Sequence, residues 1–152
     1  MKKIYFIAAF LLCGNFLFAQ MVKNPVSWTS STRKTGDKTY EITLVANIGS
    51  GWHMYSQNTP DGGPLPTKIT FSKNPLVILP SGHMKESGKL EQRFEPLFGV
   101  DVRQYSNQVE FKQTVKLKAN VKTSVDVAVQ FMTCNDRECL PPTTRKFTVA
   151  LK

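Results

Sequence analysis

The stretch Thr39–Ile48 (TYEITLVANI) decides the fold, because every second residue is apolar: Tyr40, Ile42, Leu44 and Ala46 share one face, while Glu41 and Thr43 fall on the other. Period-two alternation of this kind marks a strand with one buried face. Outward from it the pattern recurs. Val109, Phe111, Val115 and Leu117 line one side of Gln108–Leu117; Val125, Val127, Val129 and Phe131 repeat the arrangement, and Phe147, Val149 and Leu151 close the chain. Shorter strand candidates are Val26–Ser30, Gly51–Tyr55, Lys68–Phe71 and Val77–Leu79, and no stretch keeps a helical period. Thr35-Gly36-Asp37 and Gly49-Ser50-Gly51 supply turns, and the Pro- and Gly-rich run 59–66 cannot carry a central strand. Seven or more short strands without helices predict an all-β, immunoglobulin-like antiparallel β-sandwich, with an up-and-down barrel as the rival. Ser81–Gly99 is polar and lacks alternation until Arg93, so it reads as a long connection lying over another part of the domain.

The first nineteen residues read differently. Lys2 and Lys3 precede an apolar run from Ile4 to about Phe18, and Ala19 ends it. That is the layout of a secretory signal peptide, residues 1–19, leaving one domain over residues 20–152. The run falls short of the roughly 20 apolar residues that span a bilayer, so no stable membrane insertion is expected after cleavage. Localisation is then periplasmic or secreted. Loss of Lys2 and Lys3 lowers the formal charge from +9 to +7. The remaining basic residues are scattered rather than gathered into a stripe, which argues against a nucleic-acid partner.

Export removes Cys13 and leaves Cys134 and Cys139, an even pair in an oxidising compartment and therefore an expected disulfide. Cys134-Asn-Asp-Arg-Glu-Cys139 falls between two predicted strands, Thr123–Thr133 and Thr144–Leu151, at a hairpin end where Cα atoms about 5.5 Å apart are expected. Closing so short a loop gains only about 2 kcal/mol in the chain-entropy model. Spacing alone leaves two readings open, a structural staple and exchange chemistry, with metal binding a minor third. A metal site would need His53 and His83, which have no ligand spacing to the cysteines, so no metal and no cofactor is expected. No Gly-x-Ser-x-Gly or His-Glu-x-x-His motif occurs, which removes the commonest hydrolase signatures.

Gly51-Trp52-His53-Met54-Tyr55-Ser56, Pro64-Leu65-Pro66-Thr67, Phe98-Gly99 and Cys134…Cys139-Leu-Pro-Pro together resemble the N-terminal periplasmic domain of the DsbD family, over about Val26–Leu151. The resemblance implies an immunoglobulin-like sandwich that exchanges disulfides, a protein-disulfide reductase or interchange component. It implies as partners thioredoxin-like proteins or domains and a membrane electron carrier. It makes Cys139 the sulfur that joins partners and Cys134 the resolving thiol. It also implies a cap loop over the pair, here Glu95-Pro96-Leu97-Phe98-Gly99, with Phe98 or, at an offset of one, Leu97 as the covering residue. Tyr55 and His53 match positions where the family places tyrosines beside the cysteines. Two departures stand out: four residues separate the cysteines where the best-known members have five, and Glu95 alone matches the acidic residues of the cap. The sequence ends at Lys152 without a transmembrane conduit or thioredoxin module, so the resemblance implies a free-standing domain supplied with electrons by a separate membrane protein. The competing class is an exported binding or assembly module whose disulfide is purely structural.

Overall fold

The computed structural model describes residues 24–152. The signal-peptide reading of residues 1–19 lies outside them. Ten strands follow in order: β1 Val26–Gly36, β2 Thr39–Ile48, β3 His53–Tyr55, β4 Lys68–Phe71, β5 Val77–Ile78, β6 Lys85–Glu95, β7 Val100–Leu117, β8 Thr123–Phe131, β9 Thr133–Cys134 and β10 Thr143–Leu151. The larger sheet runs β1-β2-β7-β3-β9, and the smaller runs β10-β8-β4. All pairings are antiparallel. β7 is the spine of the larger sheet: β2 and β3 share one of its edges, and β5 and β6 pair along the other.

The alternation read from the sequence is the burial pattern found. Ile42, Leu44 and Ala46 of β2, Val109 and Phe111 of β7, and Val127 and Val129 of β8 are buried together between the sheets. Trp28 closes one flank, with its ring 5.3 to 6.1 Å from those of Phe111, Phe131 and Phe147. This is the immunoglobulin-like all-β sandwich, with an apolar core between two layers.

Three boundaries differ from expectation. β1 runs to Gly36 and β7 begins at Val100, both longer than the alternating parts. The segment expected as a long connection, Ser81–Gly99, is mostly strand β6, hairpinned onto β7. Its inward side chains are charged, and they are satisfied by hydrogen bonds rather than by apolar packing. Glu86 accepts from Ser56 Oγ at 2.6 Å, from the Gln57 backbone N–H at 2.7 Å and from the Tyr105 hydroxyl at 3.0 Å. A strand anchored by a carboxylate in this way leaves no hydrophobic period to read. The ladder slips between Gly88 and Leu90. A Cβ on Gly88 would stand 2.9 Å from the Gln108 carbonyl oxygen, so the close approach of β6 to β7 here requires glycine.

Candidate redox site

β3 is only three residues long, but it divides the molecule's chemistry. Met54 pairs with Tyr105 of β7 and Thr133 of β9, and Met54 and Tyr105 belong to the main core. The residues on either side of Met54 point to the opposite face of the sheet. There His53 pairs with Cys134, and Tyr55 with Gln104. Tyr55, Val102 and Cys134 form a second buried cluster, against which Val100, Met132 and Cys139 pack. The cysteine pair therefore sits on the outer side of the larger sheet and does not tie the two sheets together.

Cys134 and Cys139 are disulfide-bonded with Cα atoms 4.0 Å apart, closer than the 5.5 Å or so expected from sequence. Register explains it. Leu140 N donates to the Thr133 carbonyl and Asn135 N to the Glu138 carbonyl, both at 2.9 Å, so the cysteines between them are a non-hydrogen-bonded pair, the narrow position of an antiparallel ladder. The turn is closed further by Asn135 Oδ1, which accepts from the Arg137 and Glu138 backbone N–H groups at 2.8 Å each. The two sulfurs are unequal in access: Cys134 is fully buried and Cys139 half-buried.

A polar triad stands beside the sulfurs. His53 Nε2 lies 3.2 Å from the Tyr55 hydroxyl, which donates to Glu95 Oε2 at 3.5 Å; His53 Nε2 and Glu95 Oε2 are 3.6 Å apart. All three side chains are buried. Desolvation, reinforced by the Glu95 carboxylate, pushes the Tyr55 phenol far above its ordinary value, so it stays a hydrogen-bond donor. Desolvation lowers the His53 pKa, against the opposing pull of Glu95, which keeps the imidazole neutral near pH 7.

The structure thus brings His53, Tyr55 and Glu95 together with Cys134 and Cys139. Leu97 and Phe98 occupy the tip of the β6–β7 hairpin, where Glu95 O accepts from Phe98 N at 3.1 Å and Gly99 N at 2.8 Å, and Gly99 takes a φ of 71°. Leu97 is exposed and Phe98 half-buried. Neither is among the apolar residues packed on the cysteine cluster; Val100 and Met132 are. The 59–66 loop closes on Val100, since a Cβ on Gly63 would stand 2.7 Å from Val100 Cγ2. Sequence reasoning missed Val100, Val102 and Met132. Val102 alternates with the buried Gln104, and that polar neighbour hid the strand. His83 lies elsewhere, exposed, at 3.1 Å from Asn58 Oδ1. Among the described residues no group of three or more His, Cys, Asp or Glu side chains is arranged to hold a metal ion.

Comparison with known proteins agrees with the fold. The chain is similar to the N-terminal domain of DsbD from Neisseria meningitidis in its reduced form, with a TM-score of 0.51 at 15% identity, over 82% of this chain and 83% of that one. It is also similar to the N-terminal periplasmic domain of ScsB from Proteus mirabilis, with a TM-score of 0.53 at 17% identity, over 86% of this chain and 49% of that one. The chain therefore spans about half the ScsB chain it matches. At such identities the likeness establishes the fold. Curated protein sequences give no match. The family profile described as thiol:disulfide interchange protein DsbD, N-terminal, covers residues 20–151, nearly the whole chain, and by that match the protein belongs to the DsbD N-terminal family.

Proposed function

We propose that this protein is an extracytoplasmic thiol–disulfide relay in which Cys134 and Cys139 pass reducing equivalents between thioredoxin-like proteins or domains. The observation that carries this reading is the place of the bond. It spans a turn already closed by two backbone hydrogen bonds and the Asn135 side chain, on the face of the sheet away from the core. As a staple it would add little, about 2 kcal/mol by loop entropy. As a reactive bond it offers one reachable sulfur and one shielded one.

In this reading a partner thiolate attacks Sγ of Cys139, the half-buried sulfur. The Cys134–Cys139 bond breaks, and Cys134 leaves as a thiolate inside the buried cluster, where it takes up a proton. The partner's second thiolate then attacks the mixed disulfide and leaves as the partner's own disulfide. Cys139 is released as a thiol, and two electrons and two protons have moved to this protein. Reduced Cys134 and Cys139 then reduce an acceptor disulfide by the reverse sequence. A membrane electron carrier is the upstream source of electrons. Tyr55 and His53, hydrogen-bonded to each other and joined to Glu95, give the departing Cys134 sulfur a polar neighbour in an otherwise apolar cluster. Val100 and Met132, which pack against the cysteine cluster below the β6–β7 tip that carries Leu97 and Phe98, restrict access to the pair until a partner docks.

Trapping tests the proposal. With Cys134 replaced by Ser, the half-buried Cys139 should accumulate mixed disulfides with thioredoxin-like proteins of the cell envelope, seen as reductant-sensitive adducts by mass spectrometry. Cys139→Ser should give none. Adducts on Cys139→Ser alone would reverse the two roles, and none on either variant would leave the disulfide structural.

A further inference from the structure

Beside the disulfide the outer face of the larger sheet opens into a cleft of about 180 Å³, lined by His53, Glu91, Arg93, Gln104, Asn107 and Asp136 among others. Three features give it a definite chemical preference. Its formal charges are two carboxylates, Glu91 and Asp136, against one guanidinium, Arg93, in a protein whose formal charge is +9. The imidazole adds no charge near neutral pH, because burial holds it neutral. Finally, Gln104 is 1% exposed, and its Oε1 has no hydrogen-bond partner among the described residues. A buried acceptor left unmet costs about 1–3 kcal/mol, so a donor that reaches the amide is favoured by that same cost.

The existing ion pairs leave the carboxylates available. Arg93 Nη2 meets Asp136 Oδ1 at 3.6 Å, with Asp136 86% exposed, and Glu91 faces the freely solvated Lys89 Nζ at 3.6 Å. Pairs this long and wet hold their partners weakly. Asp136 belongs to the turn between the cysteines and His53 pairs with Cys134, so the cleft adjoins the turn that carries the disulfide.

We infer that this cleft receives a cationic side chain, the ammonium of a lysine or the guanidinium of an arginine, carried by the thiol partner beside its reactive cysteine. The inference rests on the relay reading and adds how the partner is recognised. The cation takes Asp136 from Arg93, shares Glu91, and donates to the Gln104 amide. A long flexible side chain suits the cleft because its terminal charge can reach Glu91 and Asp136 while its stem stays with the partner. One ion pair formed at the site of attack aligns the partner's sulfur with Cys139, which raises the exchange rate without any new contact at sulfur.

Two measurements test this and keep it separate from the relay itself. The first is an NMR titration of the oxidised protein with N-acetyl-lysine methylamide, with N-acetyl-norleucine methylamide as the uncharged control. The expected result is a saturable shift, in the millimolar range, of the Gln104 side-chain amide and His53 ring resonances with the lysine compound only. It should be lost in the Glu91→Gln/Asp136→Asn double variant. Equal shifts with both compounds, no shift at Gln104 or His53, or a lysine shift that survives the double variant would overturn the cleft. The second is the rate of disulfide exchange with short cysteine peptides that carry lysine or norleucine beside the cysteine. The lysine peptide should react about fivefold faster at low salt, the factor one partly screened ion pair supplies, and the ratio should fall to about one in the double variant. A ratio of one in the unmodified protein would overturn the role in recognition. A lysine shift without exchange by either peptide would retain the cleft as a cation site, overturn its role in exchange and remove the relay.

Discussion

His53 and Cys134 stand directly opposite one another in the antiparallel pairing of β3 with β9, so the imidazole and the buried sulfur share the outer face of the sheet. The imidazole is neutral there because burial outweighs the attraction of Glu95. The consequence for stability has a definite sign. A histidine whose folded pKa lies below its ordinary value of 6.5 binds a proton more readily when the chain is unfolded. Its contribution is fully present above that value and is lost as pH falls below it. The denaturation midpoint in urea should therefore decline below about pH 6.5, and His53→Gln should flatten that part of the profile. An unchanged slope in His53→Gln would show that His53 is not the group responsible.

Tyr55 joins His53 to Glu95 through one hydroxyl. Tyr55→Phe keeps the ring in the cysteine cluster and removes the donor, leaving the buried Glu95 carboxylate short of a partner. Equilibrium unfolding should show a loss of about 1–3 kcal/mol. A change below a few tenths would mean that the hydroxyl is not engaged with Glu95 in solution.

The proposed cover over the disulfide has two candidate residues. Val100 packs on the cysteine cluster, whereas Phe98 does not. Val100→Ala should speed reduction of the pair by a small thiol such as dithiothreitol several-fold, at a stability cost of about 1 kcal/mol. Phe98→Ala should change that rate by less than twofold. The opposite ranking would make the aromatic ring the working cover.

Gly63 touches the same place from the 59–66 loop. A methyl group there meets Val100 Cγ2 at 2.7 Å, so one of the two must move. Gly63→Ala should destabilise the protein by about 1–3 kcal/mol, read from the thermal midpoint. If the stability holds, the loop is free to shift.

Much of this molecule could be read from its residues, for a physical reason. β2 and β8 have one face in the core and one in solvent, so alternation in Thr39–Ile48 and Thr123–Phe131 is a direct image of burial. The cysteine turn was legible from its spacing between two alternating strands, and Tyr55 and His53 through their resemblance to a known family. β6 was not, because its least exposed residues, Glu86, Glu91 and Glu95, are charged and find polar partners. The first half of β7 stayed hidden for a related reason: Gln104 is buried among polar side chains, which no hydrophobic period announces. Charged strands folded against one another are invisible to a hydropathy pattern, and here they build the walls of the candidate site.

The reduction potential of the Cys134–Cys139 couple, measured by equilibration with glutathione or thioredoxin, tests the relay most directly. A value between about −270 and −120 mV, within the span of thioredoxin-like dithiols, is the result the relay requires. A value below about −300 mV, with no exchange on incubation with reduced thioredoxin, would contradict it and leave the bond a fixture of the fold.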